Sequence, residues 1–254
     1  MIEIQNLGFS YGRINVLKDI SLNFEKGKLY AVIGPNGSGK TTLIKLISRL
    51  NRANSGKLLL DGEPYDRIER KEFAKKVALL PQGRNVPSMS VYDLVACGRF
   101  PHLGFSRKLT ADDENTVVSA LRLTGTEAFA AKSVKKLSGG ERQRVYIAML
   151  LAQNSPYVIL DEPTTHLDIS AKFQIMNLLC NIKNNGKCVV AVLHDLDLAL
   201  KYADEIILLS KGRVEITGTP EETVNSGKLG SVFGVKCESI AINGQTVFHF
   251  DDAN

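Results

Sequence analysis

Gly34 to Thr42 reads GPNGSGKTT and follows directly on the apolar run Leu29 to Ile33, LYAVI. Glycines at Gly34, Gly37 and Gly39 let the backbone turn its N–H groups inward, and Lys40, Thr41 and Thr42 stand at the far end. Pro35, Asn36 and Ser38 complete the loop. A loop of this kind cradles an anion, because consecutive amides surround phosphate oxygens and the helical run that follows, TTLIKLISRL, offers the positive end of its dipole. The order G-x-x-x-x-G-K-[ST] is met by Gly34, Gly39, Lys40 and Thr41. In that pattern the lysine reaches the β- and γ-phosphates and the hydroxyl ligates Mg²⁺. A glycine turn before an amphipathic helix is the plainer explanation. At an average glycine frequency near 7%, however, the full pattern arises by chance in roughly one chain in a hundred of this length, and a strand and a helix flank it on the proper sides.

A second pair of reactive groups ends the run YVILDEP. Asp161 suits the hydration shell of Mg²⁺, and Glu162 suits an attacking water. For hydrolysis, Glu162 as general base contributes roughly 10² to 10⁴ in rate, with Lys40 and the metal acting on the developing charge. A third apolar run, CVVAVL at 188–193, stops at His194 and Asp195. Continuous branched runs are strands buried on both faces of a sheet. Ligands in open α/β sheets sit beyond the carboxyl ends of such strands, so one crevice is expected to collect all three groups.

The remaining chain must position them. Alternating segments in the first 60 residues, IEIQNLGF, DISLNF and KLLLDGE, read as antiparallel strands. Residues 84–153 hold helical patterns, with Thr110 as an N-cap before acidic residues, and read as an inserted helical subdomain. This leaves 1–83 and 154–216 as a nucleotide-binding core and 217–254 as a C-terminal extension of short mixed elements, all in one domain. With 44% hydrophobic and 23% charged residues the composition is that of a globular protein. The chain is expected neither to span a membrane nor to enter a secretion route. Its four cysteines match no redox or zinc spacing and read as reduced thiols. A net charge of +5, with basic runs interleaved with acids or glycines, argues against nucleic acid as a partner.

Two strings decide which phosphate chemistry is meant. Neither the D-x-x-G nor the N-K-x-D of a GTPase occurs. A small-molecule kinase would not need a second glycine pair opening another helix, and LSGGERQ (Leu137 to Gln143) is such a pair: Ser138, Gly139 and Gly140 put bare amides at a helix N-terminus. At this distance before VILDEP the motif resembles the signature of ATP-binding cassette (ABC) proteins, and the resemblance covers nearly the whole chain. It implies a P-loop NTPase α/β core with an antiparallel β subdomain and an inserted α-helical signature subdomain. It also implies that Tyr11 stacks on adenine, that Gln82 links Mg²⁺ to the partner-facing segment, and that His194 holds the γ-phosphate. It implies, too, that the loop Thr165 to Asp168 (THLD), with Asp168 near the nucleotide, crosses to a second subunit. One departure is that Met149 and Leu150 follow Ala148 where the family often has Ala-Arg, which removes a local charge and no phosphate contact.

The resemblance further implies a head-to-tail dimer, each ATP lying between one chain's glycine loop and the other's Ser138 to Gly140. One cassette without a membrane segment resembles the motor subunit of an importer. Such a subunit lies on the cytoplasmic face of the membrane, with separate integral permease subunits and, indirectly, an extracytoplasmic substrate-binding protein. SVYDLVACGRFPHLG, THLDI and LHDLDLAL are similar to the subgroup serving iron-siderophore, haem and cobalamin uptake. Importers of zinc or manganese, and ABC ATPases acting on nucleic acid or ribosomes, are the alternatives. The surface that couples ATP to transport is expected within 83–107, where Phe100, Leu103 and Phe105 read as exposed apolar residues.

Overall fold

The computed structural model describes all residues except Arg84, 105–107, 243–244 and 253–254. Strands β1 (Ile2–Tyr11) and β2 (Ile14–Phe24) pair antiparallel, with one face buried and the other wet, as their alternating sequence requires. β3 (Leu29–Ile33) is wholly buried and leads through the glycine loop into α1 (Lys40–Ile47). β4 (Ser55–Leu60) and the short β5 (Glu63–Pro64) return to the first sheet, giving the order β2-β1-β4-β5.

After α2 (Arg70–Lys76), β6 (Val77–Leu80) enters a second sheet. Three helices follow: α3 (Val91–Ala96), α4 (Ala111–Leu123) and α5 (Gly139–Gln153). The chain then alternates through β7 (Tyr157–Asp161), α6 (Ile169–Asn184), β8 (Cys188–Val192), α7 (Leu196–Tyr202), β9 (Glu205–Ser210) and β10 (Arg213–Gly218). Helices α8 (Pro220–Asn225) and α9 (Lys228–Phe233) precede a hairpin of β11 (Val235–Ile242) and β12 (Gln245–Asp252).

The second sheet has the order β10-β9-β3-β8-β7-β6, and its strands from β9 to β6 run parallel. The three apolar runs are therefore strands, as expected. β6, β9 and β10 are additional, and the four-residue VALL of β6 is too short to show a period of its own. Both faces of the sheet are covered, which explains why its strands lack polar alternation. Leu29, Ala31 and Ile33 face a core shared with α3 to α7, while Tyr30 and Val32 face α1 and the antiparallel sheet. Among the described residues the helices within 84–153 share the core of the sheet: Val91, Val117 and Val145 pack in the same cluster as Val158 and Leu160.

A buried ion pair ties these helices together. Arg99 Nε donates to Asp113 Oδ1 at 2.8 Å and its Nη1 donates to the Ala152 carbonyl at 2.7 Å. Asp113 also completes the capping box of α4 with Thr110, the N-cap read from the sequence. The Thr110 backbone N–H, then the Thr110 hydroxyl and Arg99, hold the Asp113 carboxyl down to about 2. Its folded value is depressed, so its contribution to stability is complete above the unfolded value of about 4 and fades as pH falls toward 2. Arg99→Ala strands this carboxylate, and urea denaturation at neutral pH is expected to show a loss of about 3 to 5 kcal/mol.

Candidate active site

Parallel register places the site. Val32 of β3 lies beside Val192 of β8, Val192 beside Asp161 of β7, and Leu80 of β6 beside Leu160. The residues that follow, Gly34, His194, Glu162 and Gln82, consequently emerge along one edge. Groups spread over 160 positions of sequence meet there as expected.

The glycine loop is held by its backbone. Gly34 has φ 151°, and a Cβ on it would lie 2.0 Å from the Leu209 carbonyl oxygen, so only glycine fits where the loop leaves β3 beside β9. Lys40 Nζ donates to the Gly34 and Pro35 carbonyls at 2.7 and 2.9 Å. Burial lowers the Lys40 pKa, and the carboxylates of Glu162 and Asp161 pull it back up. The Ser38 hydroxyl is buried with no hydrogen-bond partner. A buried hydroxyl left unsatisfied is costly, and a phosphate oxygen is the acceptor that this loop would supply.

Thr41 Oγ1 stands 3.5 Å from Asp161 Oδ1. Burial raises the Asp161 carboxyl, the Thr41 hydroxyl opposes this, and the charge of Glu162 adds to it. Two hard oxygen donors at this separation, next to a phosphate loop, fit Mg²⁺, which takes one or two protein ligands and completes its shell with phosphate and water. Gln82 turns its amide nitrogen to Glu162.

Glu162 is the centre of the constellation. Its Oε2 accepts from Gln82 Nε2 at 2.6 Å and from Thr165 Oγ1 at 3.1 Å, and its Oε1 lies 2.5 Å from His194 Nε2. Glu162 takes φ 54°, an uncommon conformation for a residue with a side chain, which aims the carboxylate along the sheet edge. A carboxylate with this reach, beside the lysine-bearing loop and the Thr41 and Asp161 oxygens, has the geometry to take a proton from a water. The sequence contained no sign of the Thr165 contact, because a threonine two residues after a proline has many uses.

Tyr11 ends β1 with its ring half exposed. It lies edge-on to Phe9 and its hydroxyl accepts from Asn51 Nδ2 at 2.9 Å. The paired strand β2 backs the phosphate loop: a Cβ on Gly39 would lie 2.7 Å from Leu17 Cδ2 and 3.2 Å from the Val16 carbonyl oxygen. The hairpin carrying Tyr11 thus runs along the loop.

Ser138, Gly139 and Gly140 open α5 and line a depression of about 350 Å³ whose opposite wall is His166, Leu167 and Asp168. No residue of 34–42 lines it, so the glycine loop and the start of α5 do not share one depression within a single copy. Within that depression the Ser138 N–H donates to Glu141 Oε2 at 2.8 Å in a capping box. Asp168 accepts from Ala171 N at 2.7 Å and caps α6. Among the described residues no helix is long and apolar enough to cross a membrane.

Comparison with known proteins shows the family. Residues 17–165 match the family described as ABC transporter. Ferric enterobactin transport ATP-binding protein FepC of Escherichia coli (strain K12) is 39% identical over 235 residues, covering 92% of this chain and 87% of that protein. Iron(3+)-hydroxamate import ATP-binding protein FhuC of Bacillus subtilis (strain 168) is 38% identical over 241 residues, covering 94% and 90%. Among solved structures, cbiO1 of Clostridium perfringens, part of the complex cbiONQ, superposes with a TM-score of 0.78 at 30% identity, covering 90% of this chain and 94% of that one. The dimeric cassette MJ0796 superposes with a TM-score of 0.75 at 30% identity, covering 87% and 99%.

Proposed function

The chain belongs to the ABC transporter family and is an ATPase of that family, and from that premise we propose that it is the motor subunit of an importer for iron-siderophore or cobalamin-type chelates. The observation that carries the reading is the convergence of Gln82, Thr165 and His194 on Glu162 beside the Thr41 and Asp161 oxygens. This arrangement is built to hydrolyse a nucleotide whose phosphates lie on the glycine loop. Relatives named for ferric enterobactin and iron-hydroxamate match along more than nine-tenths of the chain, which supports the substrate class.

In this reading ATP binds with its phosphates on residues 34–42, its β- and γ-phosphates reached by Lys40, and its base against Tyr11. Thr41, Asp161 and Gln82 would hold Mg²⁺, which would supply positive charge beside the phosphates. Glu162 takes the proton of the attacking water while His194 orients the γ-phosphate. Members of this family work as dimers with membrane permeases. Here a second copy closes head to tail, bringing its Ser138, Gly139 and Gly140 to the nucleotide and its Asp168 loop across the joint. The assembly sits on the cytoplasmic face of the membrane, and a substrate-binding protein meets only the permease. The test is uptake by the chain with its permease, using radiolabelled ferric siderophore, cobalamin and zinc. Uptake of zinc alone, or ATP turnover with no permease partner, would overturn the reading.

The expected exposure of the coupling surface holds only in part. Of the apolar residues expected to be exposed, Phe100 is 63% exposed, Leu103 is buried and Phe105 lies outside the described residues. Leu103 faces inward because the 3₁₀ turn at Cys97–His102 folds back on α2, where Lys71 Nζ donates to its carbonyl at 2.9 Å. The other side of α2 forms the wall of an open groove of about 1340 Å³ lined by Leu50, Arg52, Lys57, Arg67, Arg70 and Phe73, among others. The permease segment is proposed to run along this groove, with the exposed Phe100 on the 3₁₀ turn as a separate anchor for it. Phe100→Ser is expected to leave folding and ATP affinity unchanged and to weaken permease binding about tenfold, the scale of a lost aromatic anchor. Pull-down beside circular dichroism checks it.

A further inference from the structure

We infer that Thr165 is the positioning residue for the general base, and that it ties Glu162 to the loop running through His166 to Asp168. The inference rests on ATP hydrolysis at Glu162 as proposed above. Of the three groups around the Glu162 carboxylate, Gln82 and His194 arrive from neighbouring strands, whereas Thr165 belongs to the loop that follows Glu162 itself. Its Oγ1 donates to Glu162 Oε2 at 3.1 Å. The backbone repeats the tie, because the Thr165 N–H points to the Glu162 carbonyl oxygen at 3.5 Å and closes a turn over Pro163 and Thr164. Left-handed φ angles at Glu162 (54°) and His166 (62°) bracket that turn. Its shape is thus set by local backbone as well as by the hydroxyl.

Glutamate has three rotatable side-chain bonds, while a β-branched threonine has few χ1 choices. The stiffer residue therefore orients the looser one. The loop beyond Thr165 forms one wall of the depression whose other wall is Ser138 to Gly140. Thr165 thus stands in the short loop between the Glu162 carboxylate and that wall. Nothing in this arrangement brings Thr165 to the nucleotide itself. Its loss should slow turnover and spare binding.

The experiment compares ATP turnover by the wild type, Thr165→Val and Thr165→Ser, with the Kd of a fluorescent ATP analogue and the thermal unfolding midpoint of each. Thr165→Val keeps the shape and removes the donor. Its kcat is expected to fall roughly 100-fold, the scale of a catalytic group misplaced by an ångström, with Kd and midpoint close to wild type. Thr165→Ser should recover most of the rate. Wild-type kcat in Thr165→Val overturns the inference, as does a serine variant no faster than the valine one, or a rate loss that tracks lost ATP affinity or lost fold. A wild-type chain without ATP turnover overturns the reading beneath it. Wild-type turnover with an unaffected valine variant overturns this inference alone.

Discussion

Glu162→Gln is expected to stop turnover while ATP stays bound, with kcat falling roughly 10² to 10⁴-fold, the contribution of a positioned general base. The drop corresponds to about 3 to 5 kcal/mol of transition-state stabilisation. The substitution keeps the size of the side chain, and its surroundings accept an amide. The glutamine carbonyl can still receive Gln82 Nε2 and Thr165 Oγ1, which both donate to Glu162 Oε2. The amide nitrogen then faces His194 Nε2, which accepts in its other tautomer. Fold and binding should survive for that reason. With hydrolysis blocked, ATP should hold two copies together, so size-exclusion chromatography with and without ATP is expected to show a nucleotide-dependent dimer in the variant. Hydrolysis at the wild-type rate would remove Glu162 from the role of base.

Removing the loop lysine acts on the opposite quantity. Lys40→Ala deletes a charge-assisted contact to phosphate worth about 1.5 to 3 kcal/mol, which weakens ATP binding roughly 10- to 150-fold. The structure adds a second reason for a large effect. Lys40 donates to the Gly34 and Pro35 carbonyls, so the same ammonium that reaches phosphate also holds the loop that cradles it. Fluorescent nucleotide titration measures the loss. Lys40→Met, which restores most of the side-chain volume, should bind as poorly as the alanine variant, because the charge and its donors carry the effect. Unchanged affinity together with unchanged hydrolysis would detach this loop from the phosphate.

The chemistry of each segment was legible before the fold, because it depends on residues close in sequence. GPNGSGKTT reads as an anion cradle since the glycines, the lysine and the hydroxyls act within one turn of chain, and Gly34 proves to be the position where the Leu209 carbonyl leaves no room for a Cβ. LSGGERQ reads as a helix start for the same local reason, and Ser138 with Glu141 forms the capping box. Unbroken apolar runs reported strands covered on both faces because burial on both sides removes any period. What the sequence could not contain is the order of those strands. β8 lies between β3 and β7, although more than 150 residues of chain separate β3 from it, and only that insertion sets His194 against Glu162. The Thr165 hydroxyl reaches Glu162 only because the backbone reverses through a left-handed residue that no local preference announces. Leu103 read as exposed and is buried, since an apolar side chain in a turn has no period to reveal which way it faces; its carbonyl accepts from Lys71 of α2, 32 residues upstream. Short-range chemistry is written in residue types, whereas convergence comes from long-range packing, in which each contact depends on the placement of every element between.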